Sequence, residues 1–253
     1  MGERPATIEQ LLARMDDLLA PLEERKDPIR LFLATYRRTT VAVEAELARG
    51  GFTDRAWVEG WDIGFAGLYL DAIEQWEAGA TPPGPWAVAF RASKEGPALP
   101  PLRHVLLGMN AHINYDLPQS LLAAITDEEL DDSAVVARRA SDHAHIDDIL
   151  LSRVDPEDVE LTKVERPGDR TRLDNLLSPF NKAGTKRFLK EARRKVWHNA
   201  TLLSAARRHG PDALAARLAE LEALSEQRIA DLRAPGQVLL KLAVKGFGVQ
   251  LRT

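Results

Sequence analysis

Apolar residues recur at intervals of three and four through most of the chain, and no run shows the period of two that a half-buried strand requires. That spacing places one apolar stripe on each of several helices, and such stripes are buried by packing helix on helix. The expected fold is therefore all-α, a single-domain multi-helix bundle whose connections are proline-rich. Ile8, Leu11, Leu12, Met15, Leu18 and Leu19 form the first stripe, with Thr7 placed to cap it. Pro28 opens a second helix that ends at Gly50-Gly51, and Thr53-Asp54 opens a third carrying Trp57, Trp61, Phe65, Leu68, Tyr69 and Ala72. The Pro- and Gly-rich stretches 79–85 and 95–101 read as loops, which bracket the short apolar piece Trp86 to Phe90. Further helices are expected over Arg103 to Asp116, Ala134 to Val154, Lys182 to Arg208 and Asp212 to Leu232. Val238 to Val244 reads as a last apolar turn or two. The polar stretch Asp155 to Asp169, with Pro156, Pro167 and Gly168, reads as a long surface connection or a lid.

Composition narrows the function classes. A net charge of −4 lacks the basic balance of proteins that grip nucleic acid. No stretch approaches eighteen uninterrupted apolar residues and the N-terminus has no leader pattern, so no membrane partner is expected and a cytoplasmic protein is the default. With no cysteine, a metal would have to be held by His and carboxylate, and a thiolate nucleophile is excluded. Walker loop, dinucleotide fingerprint and serine elbow are all missing, so no nucleotide or nicotinamide cofactor is indicated. The acidic run Thr126 to Asp132 lacks the spacing of an aspartate-rich metal motif and reads as a solvated helix start.

Polar groups interrupt an apolar helical run most clearly in Leu107-Gly108-Met109-Asn110-Ala111-His112-Ile113-Asn114-Tyr115-Asp116-Leu117-Pro118. Helical spacing puts His104, Gly108, His112 and Asp116 along one stripe, so that His112 and Asp116 can share a proton or a ligand. Pro118 should end or kink the helix where Asp116 sits. Asn-Ala-His-Ile-Asn-Tyr-Asp-Leu-Pro also resembles the signature of the domain of unknown function 5995 family, an actinobacterial family with no established activity. Further matches are Tyr36 with Thr39, Trp61-Asp62 followed by Phe65 to Ala72, Pro85-Trp86 with Phe90, and Ala192-Arg193 with Val196-Trp197 and Ala200. The resemblance runs from about residue 30 to 205 and implies a family-like core at 28–205. That core would lie between an N-terminal helix at 1–27 and C-terminal helices at 206–253, in one helical domain. One segment departs from the pattern: in Asp142-His143-Ala144-His145-Ile146-Asp147, His143 stands for an aromatic residue and Asp147 for Asn.

This last cluster pairs acids with imidazoles at helical spacing, and Asp142 and His145 flank its apolar face. The resulting expectation is a polar site within the bundle. His112, Asp116, Asp142 and His145 are its candidate catalytic groups, with the carboxylates orienting the imidazoles. Arg193, Trp197, Tyr36, Trp61, Tyr69 and Asn110 are the candidate substrate contacts, Arg193 for an anionic group. A divalent metal, if one is held, falls to His112, Asp116, His145 and Asp62. Such a site suits acid–base or metal-assisted hydrolysis, isomerisation or cyclisation of a small, partly apolar molecule, the expected partner. The alternative is a non-catalytic ligand-binding or helical interaction protein in which the same network is structural. Oligomeric state is not legible.

Overall fold

The computed structural model describes residues 4–94, 99–165, 181–233 and 246–253, and the regular structure among them is helical. The elements are α1 (Ile8–Glu24), α2 (Ile29–Ala48), α3 (Arg55–Glu77), α4 (Gly84–Lys94) and α5 (Pro101–Ala111). A π-helical turn (His112–Asp116) follows, then α6 (Leu117–Ala124), α7 (Asp127–Asp131), α8 (Ser133–Thr162), α9 (Asn181–Arg208) and α10 (Pro211–Arg233). No helix among the described residues is long and apolar enough to cross a membrane.

Local chemistry sets most boundaries. Thr7 Oγ1 accepts from Gln10 N at the start of α1, and Asp54 Oδ1 accepts from Trp57 N at the start of α3. Thr126 and Glu129 form a reciprocal capping box on α7, whose Asp127 also receives Arg207 and Ser204 from α9. The main core joins α1 to α5, with Trp86 fully buried at its centre, where the sequence suggested only a short piece between two loops. The second difference lies in α8, which runs on to Thr162, so that Asp155–Thr162 is helix and not surface connection. Tertiary contacts explain it. Glu157 is buried between Arg38 and Arg153, and Leu161 enters the main core. The expected helical turns at 238–244 lie outside the described residues, as does most of 163–169 beyond Glu165.

Helices α5 and α6 form one rod interrupted by the π turn, in which Leu117 N donates to His112 O, five residues back. Pro118 has no N–H to give, and the wider turn absorbs that loss without breaking the rod. Gly108 lies one turn earlier, where a Cβ would overlap the Phe32 ring, so that α2 and α5 approach at a distance only glycine permits. The extended segment 246–253 is clipped along this rod and α9 by side chains. Asn114 donates to Phe247 O (3.1 Å) and accepts from Val249 N (3.0 Å), while Asn199 donates to Val249 O (3.1 Å) and accepts from Leu251 N (2.9 Å). Two amides thus read the backbone as a neighbouring strand would.

Candidate functional site

The π turn brings His112 and Asp116 together, with His112 Nδ1 at 2.9 Å from Asp116 Oδ2 and both residues buried. Trp86 Nε1 donates to the same oxygen at 2.9 Å. With Asp116 ionised, two donors converge on one carboxylate oxygen, which selects the Nδ1–H tautomer of His112 and leaves its Nε2 as an acceptor. The ring lies flat on Phe65, with centroids 3.7 Å apart and planes 6° from parallel, and Tyr36 meets it edge-on at 4.7 Å. Phe65 continues a ladder through Trp61 and Trp57 at helical spacing on α3.

A cavity of about 110 Å³ opens against this ring, walled by α2, α3, the π turn, α8 and α9. Three of its walls carry a buried polar atom with no hydrogen-bond partner: Tyr36 OH, Asp62 Oδ2 and His112 Nε2. Orphaned buried polar groups are costly in a folded chain, and three of them lie along this one cavity.

Helix α8 presents a different face to the cavity from the one its sequence suggests. His143 and Asp147 line it, whereas Asp142 turns aside to accept from the backbone N–H groups of Thr53 (2.8 Å) and Asp54 (3.0 Å). His145 is half-buried on the far side, with Nε2 at 2.9 Å from Glu46 Oε1 and its ring edge-on to Phe52. Asp142 therefore organises the α2–α3 turn, and His145 ties α8 to α2. Apolar spacing alone misplaced them, because α8 is packed on both sides and Ile146 and Ile149 do not define a single inward direction. The signal that marks the cavity-facing pair is the departure from the resembled pattern, which falls on those same two residues. Four proposed metal ligands are likewise not assembled: with His145 directed to Glu46, no group of three or more His, Asp or Glu among the described residues is placed to hold an ion.

Of the candidate substrate contacts, Tyr36, Trp61 and Arg193 line the cavity. Arg193 is engaged, its guanidinium pairing with Asp147. Trp197 stands behind the wall, its Nε1 donating to His143 Nδ1 at 3.0 Å, so that neutral His143 carries its proton on Nε2. Tyr69 stacks on Trp86 at 4.5 Å beneath the dyad, and Asn110 turns away to donate to Phe247 O at 3.3 Å.

The family model described as a family of unknown function (DUF5995) matches residues 8–235. The chain belongs to this family. Comparison with curated proteins and comparison with solved structures each gave no match. Within this DUF5995 protein the matched region contains the whole cavity, while the clipped segment 246–253 lies beyond it.

Burial dominates the electrostatics of the DUF5995 cavity. It pushes the Asp62 carboxyl up to about 7, and Tyr36 well above its usual range with the Asp62 and Asp116 charges adding to the effect. Burial holds His112 below its usual range against the opposing pull of Asp116, and lowers His143 to about 3 with help from Arg193. Both imidazoles are thus neutral at pH 7. Asp147 rises to about 6 through burial, which outweighs the nearby Arg193.

A stability profile follows for Asp62. Its ordinary value is 3.8, so between about pH 4 and pH 7 the native state keeps a proton that the unfolded chain has released. Native stability then falls as pH rises through that window, by on the order of a few kcal/mol. Asp62→Asn removes this fall. Its melting temperature should match wild type near pH 4 and exceed it at pH 8, with Asp147 titrating in both proteins and cancelling. A difference constant from pH 4 to 8 would show that Asp62 titrates normally.

Proposed function

We propose that this protein is an enzyme of acid–base chemistry acting on a small, mostly apolar molecule, with His112 Nε2 as the base. The observation that carries the reading is the group of three unpartnered buried atoms, Tyr36 OH, Asp62 Oδ2 and His112 Nε2, on one cavity. Asp116 holds the imidazole in the tautomer that frees Nε2 and stabilises the imidazolium once a proton is taken. Trp86 fixes the carboxylate in turn. Asp62, with a pKa near 7, faces the same space and can return a proton or receive a donor from the substrate. Proton transfer in an apolar enclosure supports isomerisation, elimination, or hydrolysis by an activated water. Metal assistance has less support, since the proposed ligands diverge.

The test uses a substrate whose only requirement is a base in an apolar cavity. In 5-nitrobenzisoxazole, removal of the C3 proton breaks the N–O bond and releases a coloured cyanophenolate. Wild type should turn it over about 100-fold faster than His112→Gln of equal helicity, within the range that positioned bases contribute. Equal rates would remove His112 as the base and favour a non-catalytic ligand-binding protein.

A further inference from the structure

We propose that the molecule this cavity receives is a small primary amine, its ammonium group held by the Asp62 carboxylate and its apolar body lying against Trp61 and Phe65. The inference deepens the functional reading above and rests on it for the identity of the site.

His112 Nε2 can only accept, because Nδ1 carries the proton toward Asp116. Ionised Asp62 can only accept at Oδ2, and Tyr36 can accept at its hydroxyl oxygen. Tyr36 also brings one O–H, so among these three unpartnered groups acceptor sites outnumber donors. A primary ammonium has three N–H groups and no acceptor, matching in number the three acceptors offered by α2, α3 and the π turn. An alcohol brings a single O–H and leaves acceptors unmet.

Charge balance points the same way. Arg193, on the cavity wall from α9, is paired with Asp147 from α8, so its charge is already answered. His143 on α8 is neutral, and the His112–Asp116 pair contributes no positive charge. Asp62 is about 92% buried at 8% exposure and has no cationic partner among the described residues. A carboxylate ligand would meet this negative charge with no free cation among the described lining residues to offset it. An ammonium answers it, and Trp61, Phe65 and Tyr36 supply apolar wall beside it. In size, the cavity of about 110 Å³ lies below the ~150 Å³ that accepts a benzene ring, so an amine with at most one ring is the scale expected. In this arrangement Asp62 anchors the ligand and His112 remains the base.

The experiment is calorimetric titration at pH 8 with benzylamine, benzyl alcohol and benzoate, three probes of one ring and three head groups. Benzylamine should bind wild type at least about tenfold more tightly than benzyl alcohol, as a charge-assisted hydrogen bond provides, and benzoate should bind most weakly. Asp62→Asn, which relieves a buried charge and should fold well, is expected to lose about tenfold or more for benzylamine while changing benzyl alcohol little. Tyr36→Phe should weaken benzylamine by a smaller factor. Benzyl alcohol or benzoate binding as tightly as the amine, an Asp62→Asn protein with a normal melting curve and undiminished amine affinity, or no benzylamine binding at all would each overturn the proposal. Turnover plays no part in the titration. Amine preference without benzisoxazole turnover would retain this inference and remove the catalytic one, and the reverse result would do the opposite.

Discussion

Trp86→Ala should lower the melting temperature by about 10–15 °C. The indole is 0% exposed, at the centre of the main core, stacked on Tyr69 at 4.5 Å and on Phe90 at 5.4 Å. Truncating a buried aromatic to alanine typically costs about 3–5 kcal/mol through lost transfer energy and the cavity left behind. For a chain of this size each kcal/mol moves the midpoint by roughly 2–4 °C. Trp86→Phe separates packing from the hydrogen bond. It keeps most of the stacking but takes the Nε1–H away from Asp116, so the melting temperature should fall by a third as much or less. Thermal denaturation followed by circular dichroism reads both. If the two variants melted together, the indole's value would lie in its hydrogen bond and not in its volume.

Asp116→Asn should reduce benzisoxazole turnover by on the order of 100-fold with the fold intact. Asn is isosteric with Asp, and Trp86 Nε1–H must still meet an oxygen, so the amide is held with its oxygen toward both Trp86 and His112. The tautomer of His112 is therefore preserved, and what is lost is the negative charge that stabilises the imidazolium. Combining Asp116→Asn with Trp86→Phe removes the group that pins the amide. The amide can then turn its NH₂ toward His112, which moves the ring proton to Nε2 and blocks the base. Turnover should drop further in the double variant than the two single losses multiplied together. Simple multiplicativity would show that Trp86 does not control the orientation at 116.

His112, Asp116, Tyr36, Trp61, Asp62 and Arg193 were all legible as site candidates, and the structure brings them to one region for reasons the sequence already holds. A polar stripe at four-residue spacing in an apolar run must face another helix, and Pro118 must perturb the rod where that stripe ends. Asp142, His145 and Asn110 carry the same residue types and equally suggestive spacing, yet they meet Thr53 and Asp54, Glu46 and Phe247. Spacing reports which residues share a face of one helix. It does not report which neighbour that face meets when the helix is covered on more than one side, as α8 is.

Helix class, most helix boundaries and the His112–Asp116 pair were determined by the chain itself, because periodicity, caps and prolines act within a few residues of one another. Only the tertiary structure decided the rest. Trp86 reaches Asp116 across 30 positions, Arg193 is claimed by Asp147 across 46, and Asn114 grips residue 249 across 135. Each contact is set by how whole helices pack, which depends on the summed shape of many side chains and leaves no local spacing to read. The three unpartnered atoms on one cavity belong to this second kind: α2, α3 and the π turn each present an unremarkable polar residue, and their meaning arises from the space they enclose together.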